Sequence, residues 1–136
     1  MRYETKLAIL LAPDLAVWQK LNITAFLAGG LVGQYPELTG EAYRDGDGQV
    51  YGPLIRQPVM VFEADAASLA ASLRRAGERG LTVTVFTRAL FGTGNDPDNR
   101  AAVAGVPTAE LDLVGLGLYG PRNAIDRLTK GLRLHG

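Results

Sequence analysis

The sequence predicts a three-layer α/β fold, and three observations predict it. Short apolar or β-branched runs alternate with helical patterns along the chain. The first run, Leu7 to Ala12, is apolar at every position, as in a strand covered on both faces. Hydrophobic residues make up 47% of 136 positions, ample for a core without metal or disulfide staples. The length corresponds to a single domain over residues 1–136.

Each element has its own signal. Pro13-Asp14 breaks the first strand, and Asp14 is placed to cap a helix from about Leu15 to Val32. That helix has little polar surface: Gln19, Lys20, Asn22 and Thr24 interrupt Val17, Trp18, Leu21, Ile23, Phe26, Leu27 and Leu31. A helix apolar most of the way round has to be covered by more than one neighbour. Gly33 to Gln57 is a long excursion, and Asp45-Gly46-Asp47-Gly48 marks a tight turn within it. Pro58 to Phe62 reads as the second strand. Asp65 then caps an amphipathic helix with Leu69, Leu73 and Ala76 inward and Arg74, Arg75, Glu78 and Arg79 outward, ended by Gly80. Leu81 to Phe86 is the third strand. A Gly- and Pro-containing loop and a short helical stretch around Asp98 to Ala104 follow. Leu111 to Leu118 is the fourth strand, Pro121 opens a last helix, and Gly131 lies just past its end. Leu132 to Leu134 reads as trailing extended chain. The expected architecture is an α/β/α sandwich with four strands.

The residue inventory excludes whole chemistries. Lys plus Arg and Asp plus Glu both number 14, and a zero balance makes a nucleic-acid partner or a membrane surface unlike the whole chain. Cysteine is absent, which removes thiol catalysis, disulfides and thiolate metal sites. The one histidine is His135, so a Ser-His-Asp triad and a histidine-ligated metal lack parts. Neither a metal nor an organic cofactor is expected. The apolar run near the N-terminus is too short for a signal peptide or a membrane span, and a cytosolic location is the expectation.

Three motifs have ordinary structural readings. Gly115-Leu116-Gly117-Leu118-Tyr119-Gly120 matches the dinucleotide fingerprint, but its first glycines fall inside a strand. They read instead as places where a helix approaches the sheet closely. Asp45-Gly46-Asp47-Gly48 lacks the further ligands of a calcium loop and reads as a solvated turn. Arg122, Arg127, Lys130 and Arg133 sit where cations offset a helix dipole. The loop Gly92 to Arg100 offers more, with amides, carboxylates and a guanidinium placed after a strand. In an open α/β sheet, ligands bind beyond the carboxyl ends of the strands. The candidate ligand-binding residues on that rule are Asp14, Lys20, Asn22, Thr24, Thr87, Arg88, Asn95, Asn99 and Tyr119.

The order of motifs from Lys6 to Gly33, Gln57 to Phe86 and Leu113 to Leu134 resembles the type II peptidyl-tRNA hydrolase fold. In detail the chain is similar to a bacterial domain-of-unknown-function family sharing that fold. The residues that carry this are Trp18-Gln19-Lys20-Leu21-Asn22, Tyr51-Gly52-Pro53-Leu54-Ile55, Thr93-Gly94-Asn95-Asp96 and Lys130-Gly131-Leu132-Arg133-Leu134. The resemblance implies a mixed four-stranded sheet with one antiparallel strand, and a homodimer. The hydrolases open their first helix with K-G-K-x-A-A-Q-x-x-H-A. Here Lys20 matches the first lysine, but Asn22, Phe26 and Gly29 replace the second lysine, the glutamine and the histidine. Arg88 stands where those enzymes carry an aspartate. The resemblance therefore implies their fold without their active-site set.

Three functions follow as alternatives: a protein binding a small molecule at the strand ends, an enzyme of thiol-free and histidine-free chemistry there, or an ester hydrolase on peptidyl-tRNA or a related substrate. The first is the expectation, with peptidyl-tRNA hydrolase activity absent.

Overall fold

The computed structural model describes residues 2–136. Its elements are β1 (Thr5–Leu11), α1 (Val17–Gln34), β2 (Tyr43–Arg44), β3 (Val50–Tyr51), β4 (Val59–Glu63), α2 (Ala66–Glu78), β5 (Thr84–Thr87), α3 (Asp96–Ala104), β6 (Leu113–Pro121), α4 (Arg122–Leu128) and β7 (Arg133–Leu134). The main sheet is mixed and runs β5-β6-β1-β4-β7, while β2 and β3 form a separate hairpin. β1 pairs in parallel with β4, and antiparallel with β6. β5 is antiparallel to β6, and β7 to β4.

The sheet has five strands, not the expected four. Arg133 and Leu134, read as trailing chain, pair with Glu63 and Phe62. Two residues are too few for an alternation to show in sequence. Two strands, β6 and β7, run against the other three.

Side chains of β6 alternate between the faces of the sheet, and that alternation sorts the helices. A Cβ on Gly115 would lie 2.6 Å from Ile23 Cγ2 and 3.1 Å from Leu27 Cδ1 of α1. One on Gly117 would lie 3.0 Å from Leu31 Cδ1. The paired glycines therefore seat α1 against the strand, as their in-strand position predicts. On the opposite face, a Cβ on Gly120 would approach Leu81 and Ile125, the latter in α4. α2 is tied to α4 there by Ser72, whose hydroxyl donates to the Leu128 carbonyl at 3.2 Å. Ser72 is thus buried. Leu7, Ile9, Leu10, Ile23, Leu27, Leu69, Leu116, Leu118 and Ile125 form the fully buried centre.

The helix boundaries follow from their caps. α1 starts at Val17 rather than Leu15, with Ala16 at the N-cap in place of Asp14. The Gln19 side chain reaches back to accept from the Ala16 N–H at 3.0 Å, satisfying a donor that alanine cannot. α2 is capped as predicted: Asp65 accepts from the Ser68 N–H at 2.8 Å. Gly80 ends it at φ +70°, a backbone conformation that favours glycine. Asn95 caps α3 by accepting from the Asp98 N–H at 2.9 Å. No helix among the described residues is long and apolar enough to cross a membrane.

Candidate functional site

α1 and α3 stand on either side of β5, the strand at one edge of the sheet, and a cleft opens between them. Its part nearer α3 has a volume of about 580 Å³ and is lined by Phe26, Leu27, Thr84, Val85, Phe86, Leu90, Val103 and Arg100, among others. Its part nearer the start of α1 is about 430 Å³, lined by Trp18, Asn22, Phe91, Thr93, Gly94 and Asn95 as well. Phe26, Phe86, Leu90, Asp96 and Asn99 border both, so the two are one continuous depression. Such volumes suit a small organic molecule.

The floor is aromatic. Phe86 lies 5.9 Å from Phe26 and 5.1 Å from Phe91, and Phe91 meets Trp18 edge to face at 5.8 Å. Alternation in β5 explains part of this, because Phe86 pairs with Gly115 and its ring occupies the α1 face that glycine leaves open. Leu90 and Phe91 reach the same place from a single helical turn, Arg88–Gly92, that follows the strand.

The rim is polar and mostly self-satisfied. Asn95 Nδ2 donates to Asp98 at 2.9 Å, Arg100 pairs with Asp96, and the Thr93 hydroxyl bonds Asn99 Oδ1. The Thr84 hydroxyl donates to the Leu27 carbonyl at 3.2 Å. Asn99 Nδ2 and the whole Asn22 carboxamide are left as hydrogen-bonding groups without a partner among the described residues. The lining holds no histidine, no cysteine and no lysine, and its one carboxylate is held by a guanidinium.

The sequence candidates divide into groups. Asn22, Asn95 and Asn99 are brought together on the cleft. Asp14 and Arg88 meet as an exposed ion pair at 3.9 Å, with Arg88 also 3.1 Å from Asp112. Thr24 donates its hydroxyl to the Lys20 carbonyl at 2.8 Å, and neither lines the cleft. Thr87 is buried, with only 4% of its surface exposed. Tyr119 is at the other end of the sheet from the cleft. β6 is antiparallel, so its carboxyl end lies beside the start of β1, and Tyr119 pairs with Leu7 and meets the Tyr35 ring at a tilt, 4.8 Å between centroids. Sequence reasoning missed Phe86, Leu90, Phe91 and Val103 as cleft residues. The available signal was the apolar pair Leu90-Phe91 in a segment read as loop, since two such side chains need cover.

The carboxyls with displaced pKa lie elsewhere. Asp126 is held below the usual carboxylate range, first by its hydrogen bond from Lys6 at 2.6 Å. Asp65 is lowered by the Ser68 N–H at the helix cap. In the hairpin, the Tyr51 hydroxyl lowers Asp45 by donating to it at 2.8 Å, and is itself raised.

Residues 5–136 match a family described as "protein of unknown function (DUF2000)". The chain belongs to this DUF2000 family. A solved structure, the protein of unknown function Atu0240 from Agrobacterium tumefaciens strain C58, superposes with a TM-score of 0.96. The two are 42% identical, over 99% of this chain and 100% of that one. No curated protein matches the chain. The family match spans β1 through β7, so the cleft lies wholly within the family region.

Proposed function

We propose that this DUF2000 chain binds a small, flat, mostly apolar molecule with a hydrogen-bonding edge in the cleft between α1 and α3. The observation that carries the reading is the aromatic floor of Trp18, Phe26, Phe86 and Phe91 beneath a rim whose unpartnered groups are carboxamides. Rings stack or meet edge to face with such a floor. A carboxamide offers both a donor and an acceptor, so Asn22 and Asn99 read the polar edge. Asp96 and Arg100 neutralise each other, which favours an uncharged ligand. A peptidyl-tRNA hydrolase II-like fold and a homodimer belong to the same proposal, supported by the resemblance in sequence and, for the homodimer, by the apolar perimeter of α1; a cytosolic location belongs to it on the composition.

The test uses the single tryptophan, Trp18, which lines the cleft. Titration with the neutral dye N-phenylnaphthylamine is expected to quench Trp18 emission saturably, at one dye per chain. Val103→Arg, which puts a charge on the α3 side, is expected to weaken that binding at least tenfold, about 1.4 kcal/mol. Native mass spectrometry of freshly purified protein looks for a retained natural ligand. Absence of saturable quenching, together with a bare chain mass, overturns the reading.

The alternative, hydrolysis of the ester of peptidyl-tRNA or a related substrate, rests on Lys20 and the resemblance. Against it, Lys20 is off the cleft, Phe26 can neither donate nor accept a strong hydrogen bond, and Gly29 has no side chain. Loss of a single oxyanion donor typically costs about 10²–10³ in rate. Purified protein is expected to release no amino acid from N-acetyl-aminoacyl-tRNA beside an active type II hydrolase. Comparable release, abolished by Lys20→Ala, makes Lys20 the catalytic anchor instead.

A further inference from the structure

We propose that the cleft binds a flat, uncharged nitrogen heterocycle of the lactam kind, whose N–H and C=O pair with the main chain of Val85 on the free edge of β5. The inference rests on the cleft being the ligand site, and it names the class of molecule that the site takes.

The register of the sheet fixes which way Val85 faces. In an antiparallel pair, residues that exchange hydrogen bonds with the neighbouring strand alternate with residues that turn their N–H and C=O the other way. Along β6 that alternation is set from both ends. The Ala12 N–H donates to the Val114 carbonyl at 2.9 Å, and the Arg122 N–H donates to the Glu4 carbonyl at 2.9 Å. Even-numbered residues of β6 therefore turn their main chain toward β1, and Gly115 and Gly117 turn theirs toward β5. Their partners there are Phe86 and Thr84. The Arg88 N–H, donating to the Asp112 carbonyl at 3.0 Å, keeps the same phase past the irregularity between Phe86 and Thr87. Thr84, Phe86 and Arg88 thus face β6, and Val85 faces away from it. β5 is the last strand on its side of the sheet, so no strand lies beyond to pair with Val85. Its N–H and C=O have no main-chain partner elsewhere among the described residues.

This free edge lies in the cleft. Thr84 and Phe86 send their side chains to the α1 face, where the Thr84 hydroxyl meets the Leu27 carbonyl and the Phe86 ring meets Phe26. The Val85 side chain goes to the opposite face. A cavity lined by all three residues has to pass along the edge of the strand that β6 does not occupy.

What the edge offers is one donor beside one acceptor. The N–H and C=O of a strand residue point the same way, which is why two paired residues exchange two bonds. The pair stands alone. Thr87, the next residue facing outward, is buried and caps the helical turn Arg88–Gly92, and Val83 precedes the strand. One pair is too short a template for a peptide strand, whose affinity comes from a ladder of main-chain bonds. It suits a molecule carrying a single donor next to a single acceptor. The rings of Phe26, Phe86 and Phe91 favour a flat aromatic body, and the mutually neutralised Asp96 and Arg100 favour no charge. A lactam fused to an aromatic ring has all of these properties. Val85 is half-buried, so its unbonded main-chain groups are costly until a ligand bonds them.

The probe is 2-quinolone, beside N-methyl-2-quinolone, which keeps the rings and loses the donor. The first is expected to displace N-phenylnaphthylamine saturably, and the second about tenfold less well or worse. Equal displacement by the two overturns the proposal. Amide hydrogen exchange followed by NMR reads the edge itself. In the free chain the Val85 N–H is expected to exchange about tenfold faster, or more, than those of Thr84 and Phe86, and to slow by a similar factor when 2-quinolone saturates the cleft. A Val85 N–H as protected as that of Phe86 without ligand, or unchanged by it, overturns the proposal. Val85→Pro removes this N–H at a position where the sheet makes no use of it. The variant is expected to keep its circular dichroism, to bind 2-quinolone about tenfold more weakly, and to bind N-phenylnaphthylamine within about threefold of the parent. Parent-like affinity of Val85→Pro for 2-quinolone overturns the proposal. A chain that binds the dye but treats the two quinolones alike overturns this ligand class and leaves the binding function standing. A chain that binds neither dye nor quinolone overturns the binding function, and this inference with it.

Discussion

α1 and α2 pack against opposite faces of the same sheet, yet only α2 is finished as a surface. α2 turns Leu69, Ser72 and Ala76 inward and presents Arg74, Arg75 and Glu78 to water. α1 buries Ile23, Leu27 and Leu31 and presents Val17, Trp18, Leu21 and Phe26. A helix with one apolar stripe is satisfied by the sheet beneath it; one with two stripes is not. The first pattern leaves a charged outer face, and the second leaves an apolar one exposed.

Truncation on the two helices separates those roles most widely. Leu69→Ala, at a fully buried α2 position, is expected to cost about 3 kcal/mol in urea unfolding. Leu21→Ala is expected to change the stability of the isolated chain by about 0.5 kcal/mol or less while weakening association. Equal losses in the isolated chain break the comparison. Glycine replacements sharpen it with opposite signs. Gly115→Ala forces its Cβ against Ile23 and is expected to cost about 1–2 kcal/mol. Gly29→Ala meets open space and is expected to stabilise the isolated chain by about 0.5–1 kcal/mol, again with weaker association. Thermal melts at low micromolar concentration read both.

The smallest effect concerns acid. The pKa of Asp126 is lowered in the folded chain by Lys6, which spans from β1 to α4 on the finished side. A lowered folded pKa contributes stability that is present above the unfolded carboxylate pKa. That contribution is lost as pH falls through the lower folded value. The urea midpoint is therefore expected to fall less between pH 5 and pH 2.5 in Asp126→Asn than in the parent. An equal fall in both shows that the pair contributes nothing to acid stability.

Much of this was legible in local sequence. The Asp65 cap, the Gly80 stop and the glycines of β6 are determined by near neighbours, and the structure has them where the residues imply. The excess apolar perimeter of α1 was also visible from spacing alone. What failed depends on distant partners. Whether β6 runs up or down the sheet is set by its pairing with β1, so Tyr119 was assigned to the wrong rim. β7 exists only because β4 has an open edge for it. In the cleft, Asn95 and Asn99 stood out as loop amides and Asn22 as a polar break in an apolar helix. Phe86 was absorbed into a strand and Phe91 into a loop, where nothing local says that they face each other.

The placement of β6 has a consequence for how the chain comes to its shape. This strand, at residues 113–121, is the only link between β5 and the rest of the sheet. Until it is made, β1 lacks a neighbour on one side, β5 lacks any, and α1 has no glycine channel to settle into. Contacts between residues a hundred positions apart must form together, which slows folding and leaves earlier segments exposed while they wait. A nascent chain that has not yet delivered Leu113 therefore has only the β1–β4 pair as a floor for its helices. During synthesis, the apolar α1 surface is the one most in need of a chaperone.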